Sequence, residues 1–140
     1  MKKINCILLI DDNIDDNEYH EIIIQQAGVC NLVRTAKNGI EGLQYIQNAA
    51  KPGMEQEYPK ANLIFLDINM PKMNGFEFLE AYHKLDNSLK AEIVICMLTT
   101  SLNPDDHKAA MDINEINEFQ RKPLTVEMLN EIMEKYFKEE

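Results

Sequence analysis

The sequence predicts an α/β fold in which helices cover both faces of a parallel, five-stranded sheet. Short apolar runs alternate with segments of helical periodicity along the 140 residues. Strands that alternate with helices are joined as parallel neighbours by right-handed crossovers. A chain of this length forms one domain with its own core, so we expect a single domain over residues 1–140.

Apolar runs mark the strand positions, and their composition predicts the strand order. The runs are Ile4 to Ile10, Leu32 to Val33, Leu63 to Leu66, Ile93 to Leu98 and a weaker one around Phe119. The first, third and fourth are almost wholly apolar, as in strands covered on both faces, whereas the second and fifth are short and mixed. Placing those two at the edges gives the flavodoxin-like, doubly wound order 2-1-3-4-5. In that order, ligands bind at the carboxyl ends of strands one and three.

Capping residues mark the helix starts. The segments "NGIEGLQYI" (38–46) and "NGFEFLEAY" (74–82) share an Asn-x-x-Glu start that resembles a capping box. In "NPDDHKAAMD" (103–112) an asparagine cap precedes a proline and two aspartates. Thr125 caps the last predicted helix. The polar segment 48–60 is predicted to be a solvated loop.

The first predicted helix runs from about Ile14 to Ala27 and ends at Gly28. Its apolar residues recur at helical spacing, which predicts one buried stripe. We expect that stripe to contain Tyr19, Ile22, Ile23 and Ala27.

Composition excludes several classes of function. The formal net charge is −10, which disfavours contact with nucleic acid or anionic lipid. No apolar segment approaches the ~20 residues that cross a bilayer, and the apolar run at the N-terminus is too short for an export signal. The odd number of cysteines, three, suits reduced core residues. We therefore expect a cytoplasmic protein without nucleic-acid or membrane partners.

Polar residues follow the apolar runs where the strands end. Asp11 and Asp12 follow the first run, Asp67 the third, Thr99 the fourth and Lys122 the fifth. The carboxyl ends of parallel strands meet at one edge of a sheet. Three carboxylates there repel one another unless a hard cation lies among them, which predicts Mg²⁺.

The remaining two side chains predict phosphoryl chemistry. A lysine ammonium and a threonine hydroxyl can hold phosphoryl oxygens beside a metal ion. Asp67 then becomes the nucleophile. An EF-hand in "DDNIDDNEYHE" is excluded because its sixth and twelfth positions are Asp16 and Ile22.

Four motifs resemble the receiver domains of two-component response regulators. "LLIDDN" is similar to the acidic pair of that CheY-like family, and "FLDINMPKMNGFEFL" to its phosphoacceptor loop and the following helix. "VICMLTTS" is similar to its fourth strand, which carries the switch hydroxyl, and "FQRKP" to the lysine-proline end of its fifth strand. The resemblance spans the whole chain.

The resemblance implies a role for each site residue. Asp67 accepts a phosphoryl group from a sensor histidine kinase or a phosphotransfer protein. Its Mg²⁺ is held by Asp11, Asp12, Asp67 and the backbone carbonyl of Asn69. Thr99 and Lys122 contact the phosphoryl group, and the peptide bond before Pro123 is cis.

In that family, phosphorylation draws the threonine inward and lets an aromatic residue change rotamer. Here these residues are Thr99 and Phe119. The change alters the face formed by the fourth helix, fifth strand and fifth helix, which signals to a downstream target. Kinase contacts usually lie on the first helix, which implies Asn17, His20, Glu21 and Ile24.

The chain is also similar to stand-alone regulators paired with bacterial phytochromes. Only 18 residues (140 less 122) follow Lys122, too few for an output domain. We expect a monomer or a phosphorylation-dependent dimer that is no enzyme beyond catalysing its own phosphorylation and dephosphorylation.

Two other functions stay open. The first is an interaction module of the same fold that is not phosphorylated. The second is a phosphohydrolase of the haloacid dehalogenase type, which needs an acid two residues after its nucleophile, where this chain has Asn69. A flavin or nucleotide site is disfavoured because Asp11 and Asp12 would repel a phosphate.

Overall fold

The computed structural model describes residues 3–90 and 92–137, and these form a five-stranded parallel sheet with helices on both faces. The strands are β1 (Ile4–Ile10), β2 (Cys30–Ala36), β3 (Leu63–Leu66), β4 (Val94–Thr99) and β5 (Glu118–Arg121). The helices are α1 (Ile14–Ala27), α2 (Gly39–Ala49), α3 (Gly75–His83), α4 (Asn87–Lys90), α5 (Pro104–Met111) and α6 (Val126–Tyr136). The strand order β2-β1-β3-β4-β5 confirms the predicted fold and both predicted edges.

Alternate side chains of the central strands supply two core layers. In β1, Leu8 and Ile10 belong to the layer that also contains buried residues of α2 and α3. Ile7 and Leu9 belong to the opposite layer, with buried residues of α1 and α6. Because successive strand residues point to opposite faces, unbroken apolar runs were the correct signal for a sheet covered on both sides.

Some elements differ from the sequence prediction. Helix α2 runs to Ala49, so the first two residues of the predicted loop 48–60 are helical. Strand β2 extends over Cys30–Ala36 because its whole length pairs with β1. The short helix α4 was not predicted, since one turn of Asn87–Lys90 is too brief for helical periodicity to show. The helices predicted as fourth and fifth are therefore α5 and α6. Within residues 3–90 and 92–137, no helix is long and apolar enough to cross a membrane.

The predicted buried stripe of α1 is wrong for two of its members. Tyr19 is 49% exposed and Ile22 is 52% exposed. The buried residues of the helix are Asn17, His20 and Ile24, which recur at spacings of three and four. Polar residues occupy part of the packed face because it lies beside the charged edge of the sheet, so hydropathy assigned the wrong rotation to this helix.

This rotation also corrects the expected kinase contacts. Asn17, His20 and Ile24 are only 7%, 3% and 1% exposed, so a partner protein cannot reach them. Glu21 is half-buried and stays accessible. A partner on α1 would instead meet the exposed side chains on the other side of the helix.

Candidate functional site

The structure brings three carboxylates together where the strand order reverses. Asp11 and Asp12 follow β1, and Asp67 follows β3. The backbone N–H of Asp67 donates to the carbonyl of Ile10 at 3.0 Å, which extends the parallel ladder into the site. One oxygen from each carboxylate lies within 4.8 Å of the others. Asp11 and Asp67 are buried and Asp12 is exposed, so the cluster opens to solvent on one side.

The turn after Asp67 is held by the start of α3. Asn74 caps this helix in a capping box with Glu77. The N–H of Gly75 donates to the carbonyl of Ile68 at 2.8 Å. A Cβ at Gly75 would lie 2.5 Å from the carbonyl oxygen of Asp67, so only glycine permits this close approach. The "NG" pair thereby fixes the backbone on which Asp67 stands.

Lys122 reaches the carboxylates from the end of β5. Its N–H donates to the carbonyl of Thr99 at 2.9 Å, and the Lys122–Pro123 peptide bond is cis. The ammonium lies 2.6 Å from Asp11 Oδ2, 2.8 Å from Asp16 Oδ2 and 3.8 Å from Asp67 Oδ2. Only 9% of the lysine side chain is exposed, so these carboxylates compensate a largely buried positive charge.

The electrostatics of Asp67 distinguish it from an ordinary surface acid. Burial and the neighbouring Asp11 carboxylate raise the pKa of Asp67 to about 6, although Lys122 opposes the shift. Burial lowers the pKa of Lys122, but hydrogen bonds to Asp11 and Asp16 outweigh it and the pKa is raised overall. Lys122 therefore stays charged while Asp67 is destabilised in its anionic form. A cation beside Asp67 would relieve that repulsion.

Thr99 occupies the carboxyl end of β4. It is fully buried, and its hydroxyl oxygen accepts a hydrogen bond from the N–H of Ser101 at 3.1 Å. The hydroxyl of Ser101 in turn donates to Asp106 on α5 at 2.6 Å. The threonine is thus linked to the first turn of α5.

Phe119 lies on β5. Its ring is half-buried and packs against His107 of α5 with the centroids 4.7 Å apart. It also lines a cavity of about 440 Å³ with Leu102, Pro104 and Met128. This cavity lies between α5, β5 and α6, which form the face predicted to carry the signal.

The donor set fits a hard divalent cation. Three carboxylates lie close enough to share one ion, and the carbonyl of the exposed Asn69 follows in the adjoining loop. Oxygen ligands of this kind suit Mg²⁺ or Mn²⁺ and offer no soft donor. Asp11, Asp12, Asp67 and Asn69 could therefore hold such a cation.

Sequence reasoning missed two residues of the site. Asp16 forms an ion pair with Lys122, and Asn17 donates from Nδ2 to the carbonyl of Asp11 at 2.9 Å. A signal was present, because Asn13 caps α1 and places both residues in its first turn, directly after the acidic pair. The rotation of the helix, which points them at the site, could not be read from hydropathy.

Comparisons with known proteins agree with this arrangement. The sequence model described as the response regulator receiver domain matches residues 7–134. The response regulator Rcp1 of Synechocystis is 31% identical over 108 residues, which cover 77% of this chain and 70% of that protein. The solved Mn²⁺-bound form of Rcp1 is 28% identical, with a TM-score of 0.72 over 93% of this chain and 92% of that one.

Two further solved structures share the whole fold. A two-component response regulator from Cytophaga hutchinsonii is 27% identical, with a TM-score of 0.85 over 99% of this chain and 100% of that one. The bacteriophytochrome response regulator AtBRR is 25% identical, with a TM-score of 0.75 over 96% of this chain and 94% of that one. This chain belongs to the response regulator receiver domain family and is similar to its phytochrome-associated members.

Proposed function

We propose that this receiver domain is a phosphoacceptor in a two-component phosphorelay and that Asp67 carries the phosphoryl group. One observation supports this most directly: three carboxylates share a site with one oxygen each within 4.8 Å, and a largely buried lysine lies beside them. Such a group is costly without a further positive charge, because burial and the Asp11 carboxylate disfavour the anionic form of Asp67.

Asp67 acts as the nucleophile. A carboxylate oxygen attacks the phosphorus of a phosphohistidine, the P–N bond breaks, and an aspartyl phosphate forms as the imidazole leaves. Lys122 and Thr99 donate hydrogen bonds to the transferred oxygens. Asp11, Asp12, Asp67 and the Asn69 carbonyl would hold Mg²⁺, which would neutralise the negative charge of those oxygens. The domain catalyses its own phosphorylation and dephosphorylation and no other reaction.

The output of phosphorylation is a change at the face of α5, β5 and α6. Thr99 connects the site to α5 through Ser101. Phe119 packs beside the cavity on that face and is the aromatic switch. Leu102 and Met111, 71% and 64% exposed, give a protein target apolar contacts there.

The phosphoryl donor is a sensor histidine kinase or a phosphotransfer protein that docks on α1. Tyr19 and Ile22 lie exposed on that helix and replace the buried residues first expected to make the contact. We place the protein in the cytoplasm, where such donors act, as a monomer or a phosphorylation-dependent dimer.

The proposal is tested by incubation with acetyl phosphate and Mg²⁺, followed by intact-mass measurement. We expect the wild-type chain to gain one acid-stable, hydroxylamine-labile phosphoryl group and Asp67→Asn to gain none. Asp15→Asn is the matched control, because Asp15 is an exposed aspartate outside the carboxylate group, and it should be phosphorylated like wild type. A labile phosphate that persists in Asp67→Asn would contradict the assignment, and an unmodified wild type would favour the interaction-module alternative.

A further inference from the structure

We propose that Asp16 competes with the phosphoryl group for Lys122, so that it holds the lysine in the resting state and limits the affinity of the site for phosphate. This inference rests on the proposed function, because it concerns the same lysine. The observation behind it is the ion pair between Lys122 Nζ and Asp16 Oδ2 at 2.8 Å.

The hydrogen bonds of Lys122 show why its partners compete. An ammonium has three N–H donors. In the structure two of them are used by Asp11 at 2.6 Å and by Asp16 at 2.8 Å. Asp67 Oδ2 lies 3.8 Å from the nitrogen, so an oxygen of a group added to Asp67 would arrive beside the ammonium. One donor is left for these oxygens, so a second hydrogen bond from Lys122 to the phosphoryl group has to displace one of the two carboxylates.

Asp16 differs from Asp11 in its position. Asp11 belongs to the group of three carboxylates within 4.8 Å of one another, whereas Asp16 is outside it. A cation held by that group would share Asp11 with the lysine, whereas Asp16 would stay a partner of the lysine. The Asp16 side chain is also 36% exposed, compared with 7% for Asp11. Its carboxylate can therefore be hydrated when Lys122 binds the phosphoryl group.

Two electrostatic effects of Asp16 have the same sign. Its charge neutralises Lys122, and it repels a phosphoryl group that carries up to two negative charges. Asp16 could also favour phosphate binding by holding the lysine side chain in place, but Asp11 holds it in place as well. Removal of the Asp16 charge should therefore strengthen binding of an anion at Asp67.

The test is a titration with beryllium fluoride, an anionic mimic of the phosphoryl group. Binding is monitored by fluorine NMR at saturating Mg²⁺. We expect Asp16→Asn to bind the mimic about three- to tenfold more tightly than wild type, the range of a half-exposed ion pair. Asp16→Glu, which keeps the charge, should stay within about twofold of wild type.

Asp15→Asn is the matched control for the loss of one charge. Asp15 is the neighbouring acid in the first turn of α1, and it is exposed. The affinity of the Asp15→Asn variant for the mimic should differ from that of wild type by less than about 1.5-fold, because an exposed charge is screened by solvent. Equal tightening in both variants would overturn the proposal in favour of a general charge effect.

A double-mutant cycle checks the ion pair itself. Urea unfolding of Asp16→Asn, Lys122→Met and the double variant should show non-additive effects, whereas Asp15→Asn should be additive with Lys122→Met. Additive effects at Asp16, or an unchanged or weaker affinity for the mimic in Asp16→Asn, would overturn the inference. A wild type that binds no mimic would instead refute the proposed function on which the inference rests.

Discussion

The site at the carboxyl ends of β1 and β3 and the face of α5, β5 and α6 are built in opposite ways. At the site, Asp11 and Asp67 are 5% and 7% exposed and face a buried lysine. On the face, Leu102 is 71% exposed and lines a cavity of about 440 Å³, and Met111 is 64% exposed at the end of α5. The site therefore buries charge and the face exposes apolar surface.

The two regions differ in how easily their side chains can move. Buried charges are held rigidly, because any movement breaks compensating contacts. Exposed apolar side chains around a cavity have few such contacts, so they can rearrange at low energy. Hydrogen bonds from Thr99 through Ser101 to Asp106 link the two regions.

Removal of the metal should have the largest effect, and it should act on phosphorylation at the site. Chelation of Mg²⁺ should reduce phosphorylation by acetyl phosphate by at least about 100-fold, because the cation neutralises charge in the transition state. The rate is measured by intact mass. Amide resonances that Mg²⁺ shifts should belong to the ends of β1 and β3. Equally large shifts at Leu102 and Met111 without phosphorylation would show that the site and the face do not respond separately.

The next effect is on stability and depends on pH. The pKa of Asp67 is raised from 3.8 to about 6, so the native state keeps its proton after the unfolded state has lost it. The contribution of protonated Asp67 to the free energy of unfolding is therefore complete below about pH 4 and is lost as the pH rises to about 6. Without Mg²⁺, Asp67→Asn should raise the free energy of unfolding by about 1–3 kcal/mol at pH 7, and by nothing below pH 4.

The matched control for that effect is Asp106→Asn on α5. Asp106 accepts a hydrogen bond from Ser101 at 2.6 Å, so its neutralisation should lower the free energy of unfolding by up to about 1 kcal/mol. Both variants are followed by urea unfolding across pH. Destabilisation by Asp67→Asn at pH 7 would show that Asp67 is compensated in the resting state after all.

The smallest effect is expected on the face itself. Leu102→Ala should change the free energy of unfolding by less than about 0.5 kcal/mol, because this side chain is already 71% exposed. Leu129→Ala on α6 is the comparison, since Leu129 is fully buried and its loss should cost about 2–5 kcal/mol. Chemical denaturation measures both. A loss above about 1 kcal/mol in Leu102→Ala would mean that the face is part of the core.

Most of the fold could be predicted because its signals are local. Unbroken apolar runs predicted the covered strands, and Asn38, Asn74, Asn103 and Thr125 cap the helices that they were predicted to begin. The single turn of α4 escaped prediction because one turn has no periodicity to detect. The rotation of α1 was predicted wrongly because the polar residues Asn17 and His20 are buried at the site.

The order of residues along the chain is enough to predict which side chains reach one edge of the sheet. Asp11, Asp12, Asp67 and Lys122 each follow a strand, and parallel strands bring their carboxyl ends together whatever the details of packing. The pairing of Lys122 with Asp16, in contrast, depends on how the helices pack. Asp16 lies beside it because packing rotates α1 about its own axis, and that rotation depends on contacts between residues about 106 positions apart, which no local pattern encodes.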